Sequence, residues 1–237
     1  MTWRSAVSLT AVLALASCRA DAPVSVPGIT TRTFDFGQGI AGWTIGQADY
    51  APATAPTDVI GEARPLPAPL TGSGLLLSGT NRSDDLFLYA TTRVPDLAPG
   101  ATYRVTATVA FATDVPTGCA GVGGSPGESV WLIVGAATGE PRTVFDGREY
   151  RVNLQRGNQS AGGPQGGPLG TIGNTVPNCG PRRWETKQLA SPDAVPGTVT
   201  ADPQGTAWLL VGMDSGFESL SRIYLQRVTV TLTPTAR

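Results

Sequence analysis

Apolar residues recur with a period of two along much of this chain. In residues 103–111, YRVTATVAF, the positions Tyr103, Val105, Ala107, Val109 and Phe111 share one face, the signature of a half-buried strand. Shorter alternations at residues 33–36, 43–45 and 150–154 predict further strands. Runs that are apolar on both faces occur at residues 75–78, 86–91, 130–134 and 208–211. Bounded by turn residues, they read as buried strands, with Trp131 and Trp208 inside the core. Residues 222–232, RIYLQRVTVTL, close the pattern as a long strand. No stretch carries the 3.6-residue period of an amphipathic helix. The predicted fold is all-β, a two-sheet antiparallel β-sandwich forming one domain over residues 32–237. Two segments break the pattern: 51–74 is proline-rich and 155–183 is glycine-rich. Both are predicted to be long irregular loops, and loops of that length usually carry function or are disordered.

The N-terminal residues follow another logic. Arg4 precedes an uncharged apolar stretch, residues 6–16. It is shorter than the roughly 20 residues a membrane-crossing helix needs, and it suits the apolar core of a signal peptide. It leads into Leu15-Ala16-Ser17-Cys18, which resembles the lipobox of bacterial lipoproteins. That resemblance implies cleavage before Cys18, diacylglycerol on the Cys18 thiol and acylation of the new N-terminus. Residues 1–17 are then a signal peptide, and residues 18–31 are the lipidated cysteine and a flexible tether. The implied location is the bacterial cell envelope, with the membrane as a partner through the lipid anchor. In a cell with two membranes, Arg19 rather than Asp after the cysteine resembles the outer-membrane sorting signal of such lipoproteins. An ordinary cleaved signal peptide with a chance cysteine is the competing reading.

The chain has three cysteines, and disulfides use them in pairs. With Cys18 lipidated, Cys119 and Cys179 remain, and an exported chain is expected to join them. Histidine is absent, which excludes Ser-His-Asp and Cys-His nucleophiles and any histidine metal site. The formal charge is −1, Lys187 is the only lysine and no basic patch is visible, so nucleic acid is not expected as a partner.

Four polar clusters flank the predicted strands. They are Asn81-Arg82-Ser83-Asp84-Asp85, the glycine-rich stretch ending at Glu128, Arg156-Gly157-Asn158-Gln159-Ser160, and Asp214-Ser215-Gly216-Phe217-Glu218. Sandwich strands end at common rims. Asn81, Asp84, Asp85, Glu128 and Asp214 are therefore expected to converge at one rim beneath the 157–173 loop. With Arg82, Asn158, Gln159 and Glu218 they form the predicted ligand site, suited to carbohydrate or another hydroxyl-rich ligand. Asp84, Asp85 and Asp214 are the expected calcium ligands, since calcium gathers carboxylate and carbonyl oxygens. The plain alternative is that these are turn residues. Trp43 and Trp184 flank loops and are candidates for stacking on sugar. Two other functions stay open. One is a glycoside hydrolase using Glu128 and Glu218 as its acid and base. The other is a structural or assembly lipoprotein, which predicts an exposed apolar patch and no pocket.

The segments "TFDFGQGIAGWTIGQADY", "GSGLLLSG" and "LAPGATYRVTATVAF" resemble jelly-roll carbohydrate-binding modules of the galactose-binding-like type. Those modules open with a Phe-rich strand and a Gly-Trp pair, and turn through Pro-Gly-x-x-Tyr into a long alternating strand. The resemblance spans the first half of the chain and the final strand, and implies a jelly roll that binds carbohydrate. Such modules often hold a structural calcium with acids from the first and last strands. Here Asp35 is present, but the last strand reads Tyr224-Leu225-Gln226-Arg227. The segments "NRSDDLFLY", "GVGGSPGESVWL", "GNQS" and "DSGFE" are similar to those of uncharacterised bacterial envelope lipoproteins, a resemblance that brings no activity with it.

Overall fold

Two antiparallel sheets face each other in the computed structural model, which describes residues 27–192 and 197–235. In chain order the strands are β1 (Thr30–Asp35), β2 (Thr44–Ala48), β3 (Thr57–Pro65), β4 (Ser73–Thr80), β5 (Leu86–Val94), β6 (Thr102–Thr113), β7 (Val130–Ala137) and β8 (Thr143–Phe145). They continue as β9 (Tyr150–Val152), β10 (Gly157–Asn158), β11 (Ala161–Gly162), β12 (Gly166–Thr171), β13 (Glu185–Ala190), β14 (Gly197–Thr200), β15 (Ala207–Ser215) and β16 (Leu220–Pro234). Apart from these, only two short 3-10 turns, Phe36–Gln38 and Pro52–Thr54, occur among the described residues.

The first sheet runs β13-β6-β16-β4-β3, with β1 also on β16 and β14 also on β6. β16 is long enough to pair with β4 through residues 220–225 and with β1 through residues 227–232. The second sheet runs β12-β7-β15-β5-β2. From β4 to β7 the chain crosses between the sheets at every step, and it crosses again from β15 to β16. This is the path of a jelly roll. Between the sheets lies one core, with Leu77, Phe111, Val228 and Val230 from the first sheet against Leu88, Leu132, Val211 and Met213 from the second. Each is a strand position of inward parity, so burial follows directly from the period-two pattern.

The outer face of the second sheet is apolar too, and this positions the site. Phe87, Tyr89, Ile133 and Leu210 form a second cluster there with Ala48, Ala137 and Leu154. The 138–165 segment, carrying the β8–β9 hairpin, lies over it and contributes Leu154 and Val152. Glycines let it approach closely. A Cβ on Gly135 would stand 2.6 Å from the Leu154 Cδ2 atom and 3.0 Å from the Gln165 carbonyl oxygen.

The structure revises several expectations. β1 begins at Thr30, inside the span expected to be tether. The proline-rich segment contains β3, and the glycine-rich one contains β10, β11 and β12. Trp131 and Trp208 are not in the main core. Both take outward parity, Trp131 packing on the outer cluster and Trp208 lying beneath Arg93. The Cys119–Cys179 disulfide is present, with a Cα–Cα distance of 4.7 Å. Cys18 and the lipidation expected on it lie outside the described residues.

Candidate functional site

At one end of the second sheet the outer cluster gives way to charge. The register places Asp214 opposite Phe87 on one side and Trp131 on the other. Asp214 therefore projects from the outer face, where it is fully buried. Arg156, from the covering segment, lies with its guanidinium carbon 3.8 Å from the centre of the Phe87 ring. Its Nη1 donates to Asp214 and its Nη2 to Asp49. Asp49 follows β2 in the left-handed region, φ 65°, a conformation that an Asp tolerates better than most residues. A second arginine, Arg151 of β9, reaches Asp49 at 3.4 Å and Asp85 at 3.5 Å, and also pairs with Glu149. The Gln159 backbone N–H donates to Asp214 at 2.6 Å, and Asn158 donates to Asp85 at 3.3 Å. This clasp ties the covering segment to β2, to the β4–β5 turn and to β15.

The clasp is rich in acid. Burial, then the charges of Asp214 and Asp49, push the Asp85 carboxyl up to about 7, against the pull of Arg156 and Arg151. Burial also raises Asp214, against Arg156 and the Gln159 N–H. Asp85 Oδ1 and Asp214 Oδ1 have no hydrogen-bond partner. Buried carboxylate oxygens rarely stay that way.

Beside the clasp runs a groove of about 420 Å³ between β2, β5 and the β8–β9 hairpin. Its aromatic lining is Tyr50, Tyr89, Phe145 and Tyr150. Tyr50 and Tyr150 stack with centroids 5.0 Å apart, and Phe145 packs on Tyr150 at 5.0 Å. Phe145 is half exposed at the hairpin tip, with 51% of its surface open. Polar groups stand among the rings. The Tyr89 hydroxyl shares a 2.7 Å hydrogen bond with Thr143, and Gln47 donates to the Tyr50 hydroxyl at 3.2 Å. Glu140 and Arg142 complete the lining. Clasp and groove are adjacent along the chain: Asp49 is next to Tyr50, and Tyr150 is next to Arg151.

Of the residues the sequence singled out, only some meet here. Asp85, Asp214, Asn158 and Gln159 join the clasp. Asp84 does so through its carbonyl, which accepts from the Gln159 side chain at 3.2 Å, while its own side chain faces outward beside Gly123. Glu218 is exposed near the same glycine. Asn81 is buried, and its amide donates to Ser215 O while its Oδ1 accepts from Ser83 N. It holds the turn in place and presents nothing outward. Arg82 turns away to the Ala55 carbonyl. Glu128 is also directed elsewhere, accepting from Gly118 N at 2.6 Å and from Ser125. Partial burial works against its ionisation, yet these hydrogen bonds hold it below the usual carboxylate range. Glu128 is thus engaged by its own turn, and Glu218 stands exposed beside Gly123. Trp43 packs against Phe34 and Phe36, and Trp184 against Tyr224 beneath Arg222. Neither lines the groove. At the position where the resembling modules hold calcium, Arg227 donates to Asp35 at 3.0 Å. A single carboxylate already paired with arginine does not fit a calcium shell.

Asp49, Arg151 and the groove aromatics went unnoticed in the sequence. The alternation Tyr150-Arg151-Val152 was the available signal, since an arginine between two half-buried residues in a strand asks for a partner.

No protein-family model matches the chain, and no curated protein does. Among solved structures, it is similar to the K3 cleaved adhesin domain of Lys-gingipain from Porphyromonas gingivalis W83, with a TM-score of 0.39 and 13% identity over 86% of this chain and 99% of that one. It is also similar to TmCBM27, a carbohydrate-binding module studied for specific mannan recognition, with a TM-score of 0.37 and 10% identity over 86% and 97%. The family 11 carbohydrate-binding module of the cellulosomal cellulase Lic26A-Cel5E of Clostridium thermocellum gives a TM-score of 0.34 and 12% identity over 88% and 96%.

Proposed function

We propose that this chain is a carbohydrate-binding module which holds a glycan in the groove between β2, β5 and the β8–β9 hairpin. The observation that carries this reading is the lining. Tyr50, Phe145 and Tyr150 form a continuous aromatic wall, and the hydroxyl, amide and guanidinium groups of Thr44, Gln47, Thr143 and Arg142 stand beside it. A pyranose ring has an apolar face and a hydroxyl edge. It is matched by a surface that offers π-faces and hydrogen-bonding groups together. Arg142 and Glu140 are of opposite charge, so the groove has no net sign and suits a neutral glycan. A glycan array followed by affinity electrophoresis tests this. Phe145→Ala removes a half-exposed ring without touching the core, and should weaken binding about tenfold, the scale of one aromatic contact. No glycan retained at millimolar concentration, or retention unchanged in Phe145→Ala, would count against the reading.

The module is proposed to be held at the bacterial cell envelope by lipid on Cys18. The support is the lipobox-like sequence before Cys18 and the disulfide, which fits an oxidising compartment. Cys18→Ala should leave the protein unprocessed or release it from membranes. Normal processing with full membrane retention would exclude the anchor.

A further inference from the structure

The clasp contains four carboxylates, of Asp49, Asp85, Glu149 and Asp214, and two guanidiniums, of Arg151 and Arg156. Arg148 touches the group only through a contact to Glu149 from a side chain 89% exposed, where an ion pair has little weight. With all four carboxylates ionised, negative charge exceeds positive by two. Buried charge of one sign is costly unless something pairs with it.

Two of these carboxylates keep an unpaired oxygen. Asp214 is fully buried, yet its Oδ1 has no partner, and Asp85 Oδ1 is in the same condition. Asp49, Asp85 and Asp214 each offer a carboxylate oxygen within 4.8 Å of the other two, a spacing that one cation can bridge. Arg156 does not satisfy all of them. It donates to one oxygen each of Asp214 and Asp49 and makes no bond to Asp85.

We propose that Asp49, Asp85 and Asp214 bind one hard divalent cation of the calcium class, alongside Arg156. The donors are all oxygen, which suits calcium or magnesium and not a thiolate- or imidazole-seeking metal. Three carboxylates supply part of the six to eight oxygens calcium takes, and water completes the shell. A divalent ion also cancels the charge excess of the clasp. The site draws on β2, the β4–β5 turn and β15. The cation would thus join three loop and strand ends within the second sheet, while the arginines tie the covering segment to the same carboxylates. This inference stands apart from the glycan reading and does not require it.

The test is thermal unfolding of the intact protein, stripped with EDTA and then titrated with calcium chloride, with magnesium chloride as a second probe. At free calcium a hundred times its dissociation constant, the midpoint should rise by about 5–10 °C. Protein loaded with calcium and then desalted should retain one ion per chain. Asp85→Asn, at a partly exposed position, should fold and lose the shift. Asp84→Asn, whose side chain lies outside the cluster, should keep it. No rise in the parent protein would overturn the proposal, showing that the arginines and a proton suffice. A full rise surviving in Asp85→Asn would overturn it too, placing the ion elsewhere. If Asp85→Asn does not fold, the ion count on the parent protein decides, and none retained overturns the site.

Discussion

Replacing Arg156 with methionine should destabilise the domain by about 3–5 kcal/mol, the scale of removing one partner from a buried ion pair. Arg156 is 3% exposed at its side chain, and its two partners Asp49 and Asp214 are 5% and 0% exposed. Methionine keeps most of the contact with Phe87 and preserves the volume, so the loss isolates the charge. What remains is two carboxylates out of water with a half-exposed Arg151 as the nearest cation. Lysine should not rescue the fold, because one ammonium cannot offer two forked donors to separate carboxylates. Pairing Arg156→Met with Asp214→Asn should recover part of the loss, since the double variant strands one buried charge fewer. Urea unfolding of the three variants, read as midpoint and slope, measures all of this. A shift below about 1 kcal/mol for Arg156→Met would reduce the clasp to the rank of a surface ion pair.

Removing the disulfide is the second large effect expected. Cys119 and Cys179 are 60 residues apart in sequence, and closing a loop of that length contributes about 4 kcal/mol on the chain-entropy model. The loop it closes contains β7 through β12, with the hairpin and Arg156. Cys119→Ser with Cys179→Ser should therefore lower the unfolding midpoint by about 8–16 °C. Amide exchange in the β8–β9 hairpin should quicken with it, because that segment gains the most freedom when the loop opens. Exchange speeded only at residues 117–120 and 176–181 would mean the bridge acts locally, and the clasp alone secures the covering segment.

The strands that were legible in the sequence are those with one dry face and one wet face, or with two dry faces. β6 alternates from Thr102 to Phe111, and β7 and β15 carry continuous apolar runs in the interior of their sheet. β3 and β12 are edge strands, and edges lose the pattern. β3 is exposed at most positions on both faces, so no alternation was written into it. β12, GGPLGT, carries an irregularity between Pro168 and Gly170 where backbone geometry outweighs hydropathy. β13 was hidden for another reason. Its three inward positions are Glu185, Lys187 and Leu189, two of them charged. Lys187 takes an inward place because its ammonium donates to the Thr171 and Gly173 carbonyls, while burial lowers its basicity despite Glu128 nearby.

The candidate site was legible only by half. Polar residues at strand ends did mark the rim, and Asp85, Asp214, Asn158 and Gln159 lie there. The partner that organises them was named in the sequence but not understood, because Arg156 reaches across 58 residues to Asp214 and 107 to Asp49. Trp131 and Trp208 were assigned to the core because an apolar run does not say whether its sheet is covered once or twice. Here the second sheet is covered twice, by the first sheet and by the 138–165 segment.

The pairing of β1 with β16 fixes which end of the sandwich lies farthest from the N-terminal strand. Thr30 lies opposite Leu232, whereas Leu220, at the other end of β16, lies opposite Thr80, just before the β4–β5 turn of the clasp. Twelve strand residues separate these two levels, about 40 Å at the usual rise. For a chain fastened to a bilayer at Cys18, the clasp is then at the end of the sandwich opposite the point of attachment. The eleven residues between Cys18 and Thr30 span at most about 40 Å more when extended. For such an anchored chain, tether and sandwich together would let the clasp stand as much as about 80 Å from the lipid.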